Sequence, residues 1–351
     1  MKLRTLGRTG FQVSEIACGV WGMAGWSGSN DQESRSSLQL SVELGCNFFD
    51  SAWAYGEGKG DALVGELLRS NPDKKLCVAS KIPPLNLKWP ASPKDPYNKV
   101  FPAEHVFRYA DRIRQKLGVQ SIDLLQLHVW DDGWAEEKEF RETALRLKGE
   151  GIVKAFGISL NRWEPWNGIR AIRTGLVDSV QVIYNIFDQS PEDELLPACR
   201  DLNIGVIARV PLDEGGLSGS LGPDTVFPKN DFRSGYFKPE NLQATLERVE
   251  RLEAVLTDSM SLPEMALRFI ISNPVVSTTI VGMRKEKHVR QNLDVSTAGP
   301  LDSDLLAELK KHRWDRKPKP GTGQAGSPRR GRLARRAGCG RAENPKVEED
   351  A

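Results

Sequence analysis

The sequence predicts an α/β fold, a (β/α)8 TIM barrel with an N-terminal hairpin and long loops on the C-terminal face. Eight short runs are almost continuously apolar, which is typical of parallel strands buried on both faces. Stretches with helical periodicity separate these runs. The chain has 351 residues, of which 39% are hydrophobic. This is enough for one barrel with an extension.

The predicted elements follow in chain order. Segments 3–6 and 11–14, joined by a Gly-Arg-Thr-Gly turn, predict a hairpin that closes the floor of the barrel. The strands are predicted at 16–19, 47–52, 76–82, 123–128, 153–159, 179–185, 204–210 and 278–282. The helices are predicted at 34–44, 63–68, 103–117, 136–148, 195–201, 242–256 and 263–272. Gly45 directly follows the first helix and is a typical helix-ending residue.

Two connections are longer than ordinary loops. Residues 83–102 follow the third strand and residues 212–240 follow the seventh. Both lie on the C-terminal face, where barrel enzymes carry their active sites, so we predict that they border the site. We predict a barrel over residues 1–314. The basic, Gly/Pro/Arg-rich tail over 315–351 lacks apolar periodicity and is predicted to be disordered.

Composition excludes several classes of protein. The net charge is +2, and the tail contributes ten Lys/Arg and five Asp/Glu, so the barrel itself is slightly acidic and has no electrostatic signature of a nucleic-acid-binding protein. The tail itself is either a dispensable extension or a contact for nucleic acid or an acidic partner. No apolar run reaches the ~20 residues of a membrane span. Five cysteines without metal-like spacing favour a cytoplasmic protein with neither structural disulfides nor a metal site. The oligomeric state is not predicted.

Four residues carry the predicted chemistry. Asp50, Lys81 and His128 end successive predicted strands, and Tyr55 lies in the loop after Asp50. Each alone has an ordinary structural explanation, as a helix cap, a packing residue or a hydrogen-bonded core group. Lys81 is the hardest to explain in that way, because a buried ammonium needs a compensating anion. In this order the four predict a site for carbonyl reduction.

The predicted mechanism depends on pKa values. A free tyrosine titrates near ~10 and is a poor acid at neutral pH. We expect the Lys81 ammonium to lower the pKa of Tyr55, and Asp50 to keep Lys81 charged and aimed at the phenol. Tyr55 then gives its proton to the carbonyl oxygen while hydride reaches the carbon, and His128 orients the carbonyl.

The same residues carry a family resemblance over residues 1–314. The chain resembles the aldo-keto reductases in Asp50-Ser-Ala-Trp-Ala-Tyr55-Gly, Lys81, His128, Gly157-Ile-Ser159, Gln181-Val-Ile-Tyr-Asn185 and Ile280-Val-Gly-Met-Arg284. The resemblance implies a TIM barrel that binds NADPH, or less often NADH, without a Rossmann domain. No G-x-G-x-x-G opens a strand–helix unit here. The resemblance also implies that Asp50, Tyr55, Lys81 and His128 form the catalytic tetrad.

The resemblance implies cofactor contacts as well. Ser159 and Gln181 match residues that hold the nicotinamide carboxamide, and Asn161 lies one position beyond the place of the family's asparagine. Arg209 replaces an aromatic residue that stacks on the nicotinamide in many members. A salt-bridged strand end is the alternative explanation for Arg209.

The rest of the cofactor set is also implied by resemblance. Leu212, with the glycines after it, resembles the segment that contacts the pyrophosphate, although it is alternatively a flexible loop. Gly282 and Arg284 resemble the segment beside the 2′-phosphate, and an arginine there favours NADPH over NADH. His288, Gln291 and Asn292 share a helical face that covers ribose and adenine in the family. A solvated polar face is the alternative.

Tryptophans after successive strands are expected to wall a pocket for a small carbonyl substrate, namely Trp21, Trp26, Trp53, Trp89 and Trp130. Indole walls suit aldehydes, ketones and sugars equally. Two alternatives stay open. One is an NADPH-binding, redox-sensing regulatory subunit with little turnover. The other is a barrel that binds sugars without redox chemistry.

Overall fold

A closed barrel of parallel strands forms the centre of the computed structural model, which describes residues 1–24, 28–257 and 259–316. The eight strands are β3 Ile16–Gly19, β4 Phe48–Asp50, β5 Cys77–Ile82, β6 Ile122–Leu127, β7 Val153–Ser159, β8 Ser179–Ile183, β9 Gly205–Arg209 and β10 Thr278–Gly282. They follow one another around the barrel in chain order, and β10 closes it by pairing with both β9 and β3. The predicted fold is confirmed, with strand ends that differ by a few residues.

Helices surround the barrel and alternate with its strands. They are α1 Asp31–Glu43, α2 Lys59–Ser70, α3 Tyr97–Val100, α4 Ala103–Leu117, α5 Lys138–Gly149, α6 Ile169–Arg173, α7 Leu195–Asp201, α8 Arg233–Tyr236, α9 Pro239–Glu253, α10 Leu262–Ile271, α11 Glu286–Ala298 and α12 Ser303–Lys310. Side-chain caps fix several starts: the Asn30 side chain, for example, accepts from the backbone N–H of Glu33 at 3.0 Å. The short helices α3, α6 and α8 were not predicted, because four or five residues carry no full apolar period.

The N-terminal hairpin closes the floor of the barrel, as predicted. Strands β1 Leu3–Thr5 and β2 Gln12–Ser14 pair antiparallel, with Leu3 opposite Ser14. Leu6 and Val13 are fully buried in the same apolar cluster as the inward-facing residues Ala17, Phe48, Ala79, Leu124 and Ile207. The backbone N–H of Arg8 also bonds the Asn203 carbonyl at 2.7 Å, just before β9. The mouth of the barrel therefore lies at the opposite, C-terminal end.

Both long loops carry short helical segments. Residues 83–102 contain α3, and residues 212–240 contain α8 and a 3-10 turn at Asp213–Ser218. Trp26 and tail residues 317–351 lie outside the described residues. Within the described ranges, no helix combines the length and apolar character needed to span a membrane.

Candidate active site

The C-terminal ends of neighbouring strands bring together the four residues predicted for carbonyl chemistry. Asp50 ends β4, Lys81 lies one residue before the end of β5, and His128 directly follows β6. Tyr55 lies in the turn after β4, where its backbone N–H bonds the Ala52 carbonyl at 2.9 Å. Because parallel strands place their carboxyl ends at one edge, three separate segments contribute to a single site.

Lys81 is fully buried and is held by three hydrogen bonds. Its Nζ donates to Asp50 Oδ1 at 2.5 Å and to the Ser51 carbonyl at 2.7 Å. The third bond reaches the Tyr55 hydroxyl at 3.4 Å. Burial lowers the pKa of Lys81, but Asp50 and Tyr55 outweigh burial, so that the pKa lies above its ordinary value. The ammonium therefore stays charged beside the phenol.

The pKa of Tyr55 lies above its ordinary value, contrary to the sequence-based expectation. Burial of the phenol raises the pKa, and this exceeds the lowering by Lys81. The sequence identifies the Lys81 cation but does not reveal how deeply the Tyr55 phenol is buried. The consequence is a phenol that keeps its proton at neutral pH, as a proton donor must.

His128 presents a neutral imidazole to the same space. Burial, then the charges of Lys81 and Arg209, hold its pKa well below the ordinary value. Its ring lies edge-on to Tyr55, with ring centroids 5.9 Å apart. No described residue pairs with its buried Nδ1. A neutral ring next to the phenol can bond a carbonyl oxygen without adding a charge.

Two further buried polar residues act on this set. Gln181, on β8, donates from Nε2 to Asp50 Oδ2 at 2.7 Å, across the barrel from β4. Asp61 is fully buried on α2 and accepts from the Ser80 hydroxyl at 2.7 Å. Burial raises the pKa of Asp61 to about 6. Sequence reasoning missed Asp61, although a carboxylate on the apolar face of a helix was a usable signal.

A cavity of about 350 Å³ opens at the barrel mouth, with Asp50, Tyr55 and His128 at one end. It extends to Arg284 and His288 at the other end. Six of the predicted cofactor residues line it: Gln181, Arg209, Leu212, Gly282, Arg284 and His288. Glu214, Phe232 and Arg233 also line it and were not predicted. They belong to the long loop after β9, whose sequence alone does not indicate which side chains turn inward.

Four other predicted cofactor residues do not line this cavity. Ser159 is buried at the end of β7, beside Gln181 in the strand register. Asn161 is engaged elsewhere: its Oδ1 accepts from the Ala91 N–H at 3.1 Å and its Nδ2 donates to Glu164 at 2.8 Å. On α11, Gln291 is exposed and Asn292 is buried. The helix therefore turns only His288 of the three toward the cavity.

Arg209 ends β9 with its side chain in the cavity wall and only 6% exposed. Its Nη2 donates to the Leu160 carbonyl at 3.0 Å, while its buried Nε and Nη1 have no partner among the described residues. The nearby carboxylate of Glu214 is instead paired with Arg162 at 2.5 Å. Burial, then the Arg162 charge, lowers the pKa of Arg209 to about 10. A salt-bridged strand end therefore does not describe Arg209.

The loop after β9 has a strained backbone, and hydrogen bonds from Tyr236 and Arg316 hold it in place. Val210, Asp213 and Glu214 have positive φ angles of 57°, 46° and 57°, a region that non-glycine residues rarely adopt. Asp213 accepts from the Tyr236 hydroxyl at 2.8 Å and from Arg316 Nη2 at 2.8 Å. Arg316 also pairs with Asp188, and its side chain is 5% exposed. Through Arg316, the folded part of the chain continues two residues beyond the predicted barrel boundary at residue 314.

The predicted tryptophan walls separate into two groups. Trp21 lines the cavity, 6.4 Å from the Tyr55 ring and 4.9 Å from Phe232. Trp89 lies 5.9 Å from the His128 ring. Trp53 instead packs against Tyr109 at 5.3 Å. Trp130 is fully buried, and its indole N–H bonds Asp132 at 3.1 Å, which places it in the apolar core.

The far end of the cavity carries several cations, with Glu33 as a nearby anion. Arg284 and His288 line it, and Lys285 and Lys287 flank them on α11 and the residue before it. Burial, then the charges of Lys285, Lys287 and Arg284, lowers the pKa of His288. The arrangement suits an anionic group of a ligand at this end.

A family model described as "Aldo/keto reductase family" matches residues 15–313. The chain belongs to the aldo/keto reductase family. The match covers most of the chain, including every barrel strand and all four residues around Lys81. An aldo/keto reductase barrel thus surrounds the cavity described above, and the family is one of oxidoreductases.

Curated relatives of this aldo/keto reductase have various descriptions. An uncharacterized oxidoreductase of Bacillus subtilis is 27% identical, covering 89% of this chain and 96% of that protein. An NADH-specific methylglyoxal reductase of Escherichia coli is 25% identical, covering 88% and 98%. A probable voltage-gated potassium channel subunit beta of Oryza sativa is 26% identical, covering 86% and 93%. Among solved structures, a glycerol dehydrogenase of Gluconobacter oxydans shares the fold, with a TM-score of 0.72, 24% identity and coverage of 91% and 98%.

Proposed function

We propose that this aldo/keto reductase reduces an aldehyde or ketone to an alcohol, with NADPH as the reductant and Tyr55 as the general acid. The observation that carries the proposal is the hydrogen-bonded series from Asp50 through Lys81 to the protonated Tyr55 hydroxyl. A protonated phenol beside a buried ammonium is a proton donor whose developing negative charge is stabilised at once.

The residues of the chain divide the work as follows. The substrate carbonyl oxygen lies between the Tyr55 hydroxyl and the neutral His128 ring, which orients it. As charge develops on that oxygen, Tyr55 releases its proton to it, and the Lys81 ammonium stabilises the remaining phenolate. Asp50 keeps Lys81 aimed and is itself held by Gln181. NADPH, when bound, supplies the hydride that the carbonyl carbon receives.

The residues present suit NADPH. The cavity joins the tyrosine to a cationic end in one continuous space, which suits an extended ligand with an anionic group at one end. We propose that Gln181 contacts the nicotinamide end, Leu212 the pyrophosphate, and Gly282, Arg284 and His288 the adenosine phosphate end. The cationic end of the cavity favours NADPH over NADH. The relative from Escherichia coli differs in this respect, because its name describes it as specific for NADH.

The experiment is to follow NADPH absorbance with a panel of small aldehydes and ketones, comparing wild type with Tyr55→Phe. We expect turnover by the wild type, a loss of about 10²- to 10⁴-fold in the variant, and an unchanged NADPH dissociation constant. Equal turnover by both proteins would contradict the role of Tyr55.

A regulatory subunit is the second candidate function, since relatives include a probable channel subunit beta. Absence of turnover together with tight NADPH binding would favour it.

The free, buried cysteines Cys18, Cys46, Cys77 and Cys199 are compatible with work in a reducing compartment such as the cytoplasm under either function.

A further inference from the structure

Asp61 is a buried carboxylate that the proposed mechanism does not use. It is fully buried in the first turn of α2, and its Oδ1 accepts a hydrogen bond from the Ser80 hydroxyl at 2.7 Å. Burial raises its pKa to about 6, although the Ser80 and Ser51 hydroxyls and the Lys81 charge lower it. An ionised carboxylate in such a place costs stability, and a bond from a hydroxyl does not require a charged acceptor. A role beyond packing would account for this residue.

The hydrogen bond between Asp61 and Ser80 connects the two segments that carry the phenol and the ammonium. Ser80 directly precedes Lys81 on β5. On the other side, the loop of Tyr55 leads into α2, where the Gly60 N–H donates to the Tyr55 carbonyl at 3.1 Å. Asp61 is the next residue after Gly60. The bond therefore joins the two segments independently of the contact between the Tyr55 and Lys81 side chains.

The first turn of α2 also packs closely against the residues that surround the ammonium. A Cβ atom added at Gly60 would lie 2.8 Å from Ser51 Oγ and 3.3 Å from Tyr55 Cβ. Both residues accept a hydrogen bond from the Lys81 ammonium, Ser51 through its carbonyl at 2.7 Å and Tyr55 through its hydroxyl at 3.4 Å. The bond to Tyr55 is the longest that Lys81 makes and is close to the limit for a hydrogen bond. A small shift of α2 would therefore break this bond first.

We propose that Asp61 is a positioning residue, which through Ser80 holds the first turn of α2, and with it the Tyr55 hydroxyl, within hydrogen-bonding distance of Lys81. The inference rests on the proposed reductase function and adds a residue to it. Asp61 and Ser80 do not line the cavity, so they act through Tyr55 and not on a ligand. Without their bond the phenol moves away from the ammonium, and the phenolate that forms as Tyr55 releases its proton loses stabilisation. Proton transfer then slows, while cofactor binding stays the same.

Substitutions at the two ends of this bond test the proposal in steady-state kinetics at about pH 8, where Asp61 is ionised. Asp61→Leu and Ser80→Ala each remove the bond, whereas Asp61→Asn keeps an acceptor oxygen without the charge. We expect kcat to fall about 10- to 100-fold in Asp61→Leu and in Ser80→Ala, and by less than about threefold in Asp61→Asn, with KM and the NADPH dissociation constant little changed. The double variant should lose no more than the larger single loss, because both changes remove the same bond.

Ser296→Ala is the matched control. Ser296 is buried on α11, and its hydroxyl donates to the buried Glu15 carboxylate at 2.8 Å, next to the N-terminal hairpin. Its replacement removes a buried bond from serine to carboxylate like that of Ser80 and should destabilise the protein to a similar extent, with kcat unchanged. Equal losses of kcat in Ser80→Ala and Ser296→Ala would overturn the proposal. Equal losses in Asp61→Asn and Asp61→Leu would also overturn it, because the amide keeps the acceptor.

A spectroscopic measurement separates this inference from the reductase proposal. The protein is labelled with tyrosine that carries ¹³C at Cζ, and the resonance of Tyr55 is the one that disappears in Tyr55→Phe. Its frequency responds to hydrogen bonding of the phenol and requires no turnover. We expect this resonance to move in Asp61→Leu and Ser80→Ala and to stay in place in Asp61→Asn and Ser296→Ala.

The two proposals can then fail separately. If the wild type reduces no carbonyl compound but the resonance moves as expected, the reductase proposal fails and the positioning by Asp61 is supported. A resonance that stays in place in Asp61→Leu and Ser80→Ala overturns the positioning role, whatever the turnover. If Asp61→Leu does not fold, Ser80→Ala provides both comparisons, because it removes the same bond by a smaller change.

Discussion

Arg316 Nη2 donates a hydrogen bond to Asp213 Oδ1 at 2.8 Å, although the two residues lie 103 positions apart. Asp213 belongs to the strained loop that borders the cavity, and Arg316 is the last described residue. The bond therefore connects the end of the described chain to the wall of the candidate active site.

Replacing Arg316 with methionine should destabilise the protein. Asp213 and Asp188 would be left buried near each other without a cation, which typically costs about 3 kcal/mol or more. We expect the free energy of unfolding in urea to fall by that amount and NADPH binding to weaken. Arg313→Met is the control: Arg313 forms partly exposed ion pairs with Asp193 and Asp315, so its loss should cost at most about 1 kcal/mol.

Two truncations test the same connection. A chain that ends at residue 316 should unfold like the full-length protein, and one that ends at residue 314 should resemble Arg316→Met. Equal stability of the two truncated chains would show that the bond contributes nothing.

Asp61 should make stability depend on pH between about 4 and 6. Burial raises its pKa from the ordinary 3.8 to about 6, so the folded state holds a proton that the unfolded state has lost in this range. Stability therefore falls as pH rises through the window, by up to about 3 kcal/mol from this group. The charges that face it are Lys81 and Asp50.

Asp61→Asn removes this titration. Its unfolding free energy relative to wild type should increase from pH 4 to pH 6 and stay constant at higher pH. Asp73→Asn, at an exposed position after α2, should show a constant difference throughout. A constant difference for Asp61→Asn would contradict the buried carboxylate.

Carbonyl reduction should show no ionisation between about pH 6 and pH 9. His128 has a lowered pKa and is neutral throughout this range, while Tyr55 has a raised pKa and stays protonated. A profile of kcat at saturating NADPH and substrate should be flat. A midpoint near the ordinary histidine value of ~6.5 that disappears in His128→Gln would show that the imidazole titrates in the working enzyme.

Arg284→Ala should separate the two nicotinamide cofactors. If the guanidinium contacts the 2′-phosphate, the dissociation constant for NADPH should rise about tenfold or more, and that for NADH should hardly change. Fluorescence titration with each cofactor measures both. Arg290→Ala, at an exposed position on α11, should leave both constants unchanged, and equal weakening by Arg284→Ala would remove the phosphate contact.

The barrel and the residues around Lys81 could be predicted from the sequence, because they depend on the pattern of residues within short segments. An apolar run predicts a buried strand, and the residue at its end predicts a position at the barrel mouth, as for Asp50 and His128. The rise in the pKa of Tyr55 could not be predicted from the sequence. Whether this pKa rises or falls depends on the balance between burial of the phenol and the charge of the neighbouring Lys81. Arg316 could not be separated from the basic tail, since its burial depends on Asp213 and Asp188 in distant segments.

The two halves of the barrel contribute differently to the cavity. Asp50, Tyr55, Lys81 and His128 all come from the segments of β4 to β6, whereas Arg209, Leu212 and Arg284 come from those of β9 and β10. The bond from Gln181 to Asp50 joins the halves. Under the proposed function, the proton donor and most of the cofactor contacts are thus encoded in separate stretches of the gene. We expect a chimera joined after β6 to change the cofactor contacts without altering the residues around the proton donor.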